Sequence, residues 1–90
     1  MEEPRVRIKV SDMDVGKSQF AQKLAIDFLR ERGKDEKELA KYLKQQFDQK
    51  FGTKWHCVVG ASFGSHVTHH SDDFLFFIVE KRGILLFRTV

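Results

Sequence analysis

Six side chains of the kinds that bind metal ions lie close together in the second half of this chain. They are Cys57, His66, His69, His70, Asp72 and Asp73. Thiolate, imidazole and carboxylate groups are common zinc ligands, so a zinc site has to be considered. The spacing is unfavourable, because on a strand His66 and His70 share one face while His69 points to the other. We predict no metal site and no cofactor, and Cys57 is interpreted as a small core residue.

The segment Gly60-Ala61-Ser62-Phe63-Gly64 matches G-x-S-x-G, the nucleophile pattern of serine hydrolases. In those enzymes a helix follows the serine directly, whereas the residues from Ser65 to His70 predict a strand. The acid and then the base should also follow in the chain, and no histidine lies beyond Asp72. A serine hydrolase is therefore the least favoured of three functional hypotheses. The two glycines instead predict a tight corner between strands.

The segment Gly16-Lys17-Ser18 resembles the end of a phosphate-binding loop. The first glycine of such a loop would fall at position 11, which is Ser11, so we interpret the match as chance. No pair of carboxylates is placed for acid–base catalysis. We predict that the chain is not an enzyme and has no catalytic residues.

A chain of 90 residues is expected to form one domain, spanning residues 1–90. A domain of this size buries only about 60–65% of its unfolded surface, so a partner subunit would add useful stability. Sixteen basic and thirteen acidic residues give a net charge of +3. This charge is small and scattered, which falls short of the concentrated positive surface of a nucleic-acid binder. A small basic nucleic-acid-associated domain therefore stays only as the second functional hypothesis.

The single cysteine excludes an internal disulfide framework and is typical of a reducing compartment. The first ten residues, MEEPRVRIKV, contain acidic residues where a signal peptide needs basic ones. They also lack an apolar run long enough to span a membrane. We expect a soluble cytoplasmic protein that does not contact membranes.

The hydrophobic periodicity predicts two amphipathic helices. The first runs from about Val15 to Gly33, with an apolar residue at every fourth position over 20–28. The second follows a cap at Asp35, with Glu38 in the capping-box position, and stops at Gly52. Their apolar stripes are expected to pack on a sheet.

Alternating residues over 5–10 predict an edge strand with Val6, Ile8 and Val10 on its buried face and cations outside. Continuous apolar runs over 74–79 and 84–87 predict two central strands, joined by a hairpin loop over 80–83. Such strands are buried on both faces of the sheet. The two helices are expected to pack on one face, and a second copy of the chain could pack on the other. The predicted fold is α+β, with two helices packed on a mostly antiparallel sheet in the order β-α-α-β-β-β-β.

Five segments form a specific combined signature. They are Phe47-Asp48-Gln49-Lys50-Phe51, Trp55-His56-Cys57-Val58-Val59-Gly60, Phe63-Gly64-Ser65, Val67-Thr68-His69 and Ile84-Leu85-Leu86-Phe87. With them the sequence resembles the small cytoplasmic dynein light chain family. The resemblance implies a non-catalytic homodimeric hub in which the strand holding Ser65 to Thr68 is exchanged between subunits. Clients would add a short segment, often centred on Thr-Gln-Thr, beside that strand, and the implied partners include dynein intermediate chain.

The resemblance also implies site residues. Peptide-binding positions would be Glu36, Lys37, Phe63, Gly64, Ser65, His66, Val67, Thr68, His69, Phe74 and Phe76, and dimer-interface positions Gln45, His56, His66 and Val67. Protonation of His56 would bury a charge and is expected to loosen the dimer. The chain departs from the family pattern at Gln45, Ala61, Ser62, His66 and Ile78, which we expect to alter the choice of client.

Overall fold

The computed structural model of this chain describes residues 5–61 and 73–89. Its elements are β1 (Val6–Ser11), α1 (Val15–Glu31), α2 (Glu36–Phe51), β2 (Trp55–Gly60), β3 (Phe74–Val79) and β4 (Arg82–Arg88). The four strands form one antiparallel sheet in the order β1-β3-β4-β2, and both helices pack on one of its faces. The predicted α+β fold is confirmed. The strand predicted over 65–70 lies outside the described residues.

Side-chain caps begin both helices. The Asp14 carboxylate accepts hydrogen bonds from the backbone N–H groups of Gly16 and Lys17, at 3.0 and 3.3 Å. Asp35 accepts from the N–H of Glu38 at 3.1 Å, so the predicted cap of α2 is confirmed. Neither helix in the described residues is long and apolar enough to cross a membrane.

Gly52 ends α2 in a conformation that suits only glycine. Its φ is +95°, in the left-handed region, as expected for the residue that follows a helix. A Cβ at this position would also lie 2.8 Å from Nη2 of Arg88. The turn after α2 is therefore fixed by both the backbone and the neighbouring strand β4.

The core lies between the helices and alternate residues of the strands. On the helix side, Leu39, Leu43 and Phe47 of α2 are fully buried. The strand residues that meet them include Trp55, Leu75, Phe77, Val79, Ile84 and Leu86, all fully buried. The central positions of β3 and β4 are as predicted from their continuous apolar runs.

Strand β1 is the edge strand that its alternating charges predicted, and Val6 packs against the core as expected, but the facing of Val10 was predicted wrongly. The register shifts between Ile8 and Val10, so that Ile8 pairs with Phe77 whereas Val10 pairs with Phe76. A β-bulge adds a residue to one strand and turns the following side chains to the other face. Val10 therefore faces away from the helices, and Ile8 is 45% exposed at the sheet edge.

The connection between β3 and β4 is shorter than the predicted loop over 80–83. Val79 pairs with Arg82 and Ile78 pairs with Gly83, so only Glu80 and Lys81 form the turn. Glu80 has a φ of +58°. Two-residue hairpin turns require such left-handed conformations because these match the twist of the strands. The sequence prediction missed this because Glu-Lys is not a common pair for the turn.

Candidate functional site

The face of the sheet that points away from the helices is largely apolar. Directly paired residues of antiparallel strands share a face, so the register identifies its members. We define this open face by Arg7, Val10, His56, Val58, Phe74, Phe76, Ile78, Leu85 and Phe87. Val58 is 47% exposed, whereas Phe74 and Phe76 are 3% and 9% exposed. Among its apolar residues Val58 is the exposed one, and Val10, Ile78, Leu85 and Phe87 are half-buried, so the surface that another chain could cover centres on Val58.

Strand β2 forms the second edge of the sheet in the described residues. It pairs with β4 along its whole length, and no described strand pairs with its other side. Unlike β1, which has Arg7, Lys9 and a bulge, β2 contains no Lys, Arg or Pro that would discourage pairing. Its outward backbone groups can accept a further strand.

A hydrogen bond to helix α2 fixes the start of β2. The N–H of Trp55 donates to Oδ1 of Asp48 at 3.1 Å. A hydrogen bond from the Lys44 ammonium lowers the pKa of the Asp48 carboxyl from its usual value, and the bond from Trp55 acts in the same direction. The open edge is therefore held on a helix that is itself part of the core.

His56 lies on the open face beside the C-terminal end of β4. Its ring stacks on that of Phe87, with the centroids 5.3 Å apart. Its Nε2 is 3.1 Å from Oγ1 of Thr89. The side chain is exposed in the single subunit, so a second chain on this face would bury it.

A surface depression of about 360 Å³ lies where the start of α2 approaches the end of β2 and the β3–β4 turn. Its described lining residues are Lys34, Glu36, Ala61, Glu80, Lys81 and Arg82. Glu36 was predicted to bind peptide, and it is half-buried. The two turn residues and Arg82 were not predicted, because nothing local in the sequence brings them to α2.

The structure places the other predicted site residues as follows. Phe74 and Phe76 lie on the open face, and Lys37 and Gln45 are exposed on α2. Val58, Leu85 and Phe87 were not predicted as open-face residues, although their alternation with core residues was a signal for them. Seven predicted positions lie outside the described residues: Phe63, Gly64, Ser65, His66, Val67, Thr68 and His69.

The motifs that suggested other chemistry have structural roles or lie outside the described residues. Nζ of Lys17 pairs with Oδ1 of Asp73 at 3.1 Å and lies over the rings of Phe51 and Trp55, at 5.3 and 5.8 Å. Within residues 5–61 and 73–89, no three metal-binding side chains come together. Ser62 lies outside those ranges.

The thiol of Cys57 is packed against the core, opposite Leu86. Burial raises its pKa from 9.0 to about 12. Above about pH 9 the unfolded chain loses the thiol proton while the folded chain keeps it, so the stability falls as the pH rises. We expect the free energy of unfolding to fall by about 1 kcal/mol more between about pH 8 and pH 10 than it does in Cys57→Ala. Urea unfolding of both proteins at the two pH values measures this, and equal losses would contradict it.

Comparison with known proteins gives one family and several relatives. The family model described as dynein light chain type 1 matches residues 5–89. A curated protein of Emericella nidulans, named "Dynein light chain, cytoplasmic", is 43% identical over 83 residues. That alignment covers 92% of this chain and 87% of the relative.

Solved structures with the same fold include two domains described as dynein light chain-like. The domain from the calcium-binding protein FhCaBP2 of Fasciola hepatica has a TM-score of 0.81 at 24% identity, covering 99% of this chain and 95% of that one. The domain of CsTAL3 has a TM-score of 0.78 at 17% identity, covering 93% and 92%. At these identities the likeness shows the fold alone.

Proposed function

Because this chain belongs to the dynein light chain type 1 family, we propose that it acts as a non-catalytic homodimeric hub that binds short segments of client proteins by strand addition. The observation that carries the proposal is the unguarded edge of β2 beside an apolar sheet face. The Emericella relative is named as cytoplasmic, and we assign this chain to the cytoplasm and the cytoskeleton by that likeness.

The open face supports dimerisation. Val58 is 47% exposed although it lies in the middle of an apolar strand. A second subunit on this face would remove Val58, Leu85 and Phe87 from water, which is favourable by about 25 cal/mol per Å² of apolar surface. In a two-fold dimer the same face serves both subunits, so each contact is made twice. His56 is assigned to this interface, whereas Gln45, on the helix side of the sheet, is assigned to the contact with the exchanged strand that carries His66 and Val67.

The edge of β2 supports strand exchange. In the proposed dimer, the strand holding Ser65 to Thr68 joins the partner's sheet and offers its outer edge to a client segment. Backbone hydrogen bonds then give general affinity, and pockets for alternate side chains give selectivity. The proposed peptide contacts are Phe63, Gly64, Ser65, His66, Val67, Thr68, His69, Phe74 and Phe76, with Glu36 and Lys37 at the start of α2.

The clients of the proposed hub include dynein intermediate chain and other proteins that carry segments like Thr-Gln-Thr. Ala61 lines the depression beside Glu36, and Ile78 lies on the open face. Both positions depart from the family pattern, so the preferred client sequence is expected to differ from that of a typical member. Two identical grooves would bind a dimeric client through a high effective concentration.

Calorimetric titration with a Thr-Gln-Thr-centred peptide, combined with sedimentation of the same sample, tests the proposal. We expect a dimer that binds one peptide per subunit, with an affinity that changes little with salt. Glu36→Ala should weaken binding because the side chain that meets the central Gln is removed, whereas Lys41→Ala, exposed on the same helix, should not.

Two outcomes of this titration, and a separate titration with nucleic acid, separate the alternatives. A dimer that binds the peptide and a control with the central Gln replaced by Ala equally well would contradict the proposed groove. A monomer that ignores the peptide would contradict the hub itself. Steeply salt-dependent binding of nucleic acid would favour the alternative of a nucleic-acid-associated domain.

A further inference from the structure

The end of the sheet where β2 begins and β4 finishes carries three cations from three segments of the chain. Lys50 lies in the last turn of α2, Lys54 directly precedes β2, and Arg88 is the last residue of β4. Within residues 5–61 and 73–89, no carboxylate forms an ion pair with any of them. Their combined charge equals the net charge of +3 of the whole chain. We call these three residues the basic patch.

Two of the three cations are held in place by neighbouring groups. Nζ of Lys50 lies 5.9 Å from the ring centroid of Phe51. Nε of Arg88 donates to the carbonyl of Thr53 at 3.1 Å, and its Cζ lies 5.8 Å from the ring centroid of Trp55. The rings of Phe51 and Trp55 are 6.4 Å apart, so the two cations flank one aromatic pair. A side chain that is already positioned loses less entropy when it binds an anion.

The third cation, Lys54, has a backbone conformation that glycine would adopt more easily. Its φ is +77°, in the left-handed region. The conformation is fixed because its carbonyl accepts from the N–H of Thr89 at 3.0 Å and from Oγ1 of Thr89 at 3.4 Å. This region is costly for a residue with a Cβ and free of that cost for glycine. A lysine kept exposed at such a position indicates that its ammonium group is used.

The surroundings of the basic patch favour carboxylates over nucleic acid as its ligands. The Lys50 ammonium lies over the half-buried rings of Phe20 and Phe51, and Nζ of Lys17 lies 5.3 Å from the ring centroid of Phe51. A base that stacked on these rings would have to displace these ammonium groups. Three charges are also few for a surface that follows a phosphate backbone. A short run of carboxylates matches the patch in both size and sign.

We infer that the basic patch binds an acidic segment of a partner protein, with carboxylates paired to Lys50, Lys54 and Arg88. The patch lies at the start of β2, whereas the depression beside Glu36 lies at its end. The inference therefore does not depend on the proposed peptide groove. A partner that carried both a groove-binding segment and an acidic segment would be held at two places, which raises the effective concentration of each segment.

The test is a calorimetric titration with a peptide in which Glu alternates with Ser, at low salt. A peptide with every Glu replaced by Gln is its uncharged counterpart. The proteins are the intact chain, Lys50→Gln, Lys54→Gly and the double variant. Lys41→Gln is the matched control, because Lys41 is also exposed on α2 but lies outside the patch. Arg88 is left unchanged because its hydrogen bond to Thr53 holds the loop.

We expect each single variant to bind the Glu peptide about two- to fivefold more weakly, and the double variant to lose more than either. Lys41→Gln should bind as the intact chain does, and binding to the intact chain should weaken at about 0.5 M salt. Urea unfolding of Lys54→Gly should show equal or higher stability, because glycine relieves the left-handed conformation. Weaker binding without lost stability separates a binding role of Lys54 from a structural one.

Three results would overturn the inference. They are equal binding of the Glu and Gln peptides by the intact chain, unchanged binding of the Glu peptide in the double variant, and tighter binding of a single-stranded oligonucleotide with the same number of charges. The Thr-Gln-Thr-centred peptide should bind all these proteins equally, since the patch lies outside the proposed groove. If that peptide binds none of them, the proposed function fails while the basic patch is still judged by the Glu peptide.

Discussion

Replacing Val58 with glutamate is expected to separate the proposed dimer into folded monomers. Val58 is 47% exposed in the single subunit, so the carboxylate stays in water and the fold is kept. In the dimer the same carboxylate would be buried in an apolar interface, and two-fold symmetry places two of them there. We expect the dimer to weaken by about 3 kcal/mol or more, which is about a hundredfold in the dissociation constant.

Sedimentation over a range of protein concentrations measures this dissociation. Ile8→Glu is the matched control, because Ile8 is 45% exposed and also lies in a strand, but its partner is the core residue Phe77. That variant should remain dimeric. Urea unfolding of both variants shows whether the fold survives. A Val58→Glu protein that stays dimeric at the concentrations of the unchanged protein would exclude the open face as the interface.

Truncating Phe47 to alanine is expected to remove a large share of the stability. The ring is fully buried between the helices and the sheet. Its centroid lies 5.6 Å from that of Phe20, 5.0 Å from that of Phe51 and 4.8 Å from that of Trp55. Loss of a buried aromatic ring leaves a cavity and costs about 3–5 kcal/mol, out of the about 5–15 kcal/mol typical of a domain.

Urea unfolding at one fixed protein concentration measures this effect, since the proposed dimerisation would make the stability depend on concentration. Lys41→Ala on the exposed side of α2 should change the free energy of unfolding by less than about 0.5 kcal/mol. If Phe47→Ala does not fold, Phe47→Leu provides a milder version with a smaller cavity. A loss below about 1 kcal/mol in Phe47→Ala would contradict the packing described for this cluster.

The proposed dimer interface and the core use alternate residues of the same strands. In β4, Ile84 and Leu86 face the helices, whereas Leu85 and Phe87 lie on the open face. A substitution in this strand therefore acts on folding or on assembly according to its position. This separation makes the Val58 and Phe47 variants independent tests, because one leaves the core intact and the other leaves the open face intact.

The sequence alone determined the helices, the central strands and the guarded edge. Asp14 and Asp35 begin helices and Gly52 ends one through interactions with near neighbours, so local sequence is sufficient to predict them. The continuous apolar run of β3 likewise predicted burial on both faces of the sheet, since successive side chains of a strand point to opposite faces. The five-segment resemblance predicted the family, which the comparisons confirmed.

Only the tertiary structure decided the strand order β1-β3-β4-β2, the bulge that turns Val10 to the open face, and the position of Lys34 and Lys81 beside one depression. Each of these depends on contacts between residues far apart in the chain. Periodicity tells which side of a strand is apolar, but the register against a particular neighbour is fixed by packing of the whole sheet on the helices. For that reason the open edge of β2 and the charged depression beside Glu36 emerged from the fold and not from any motif.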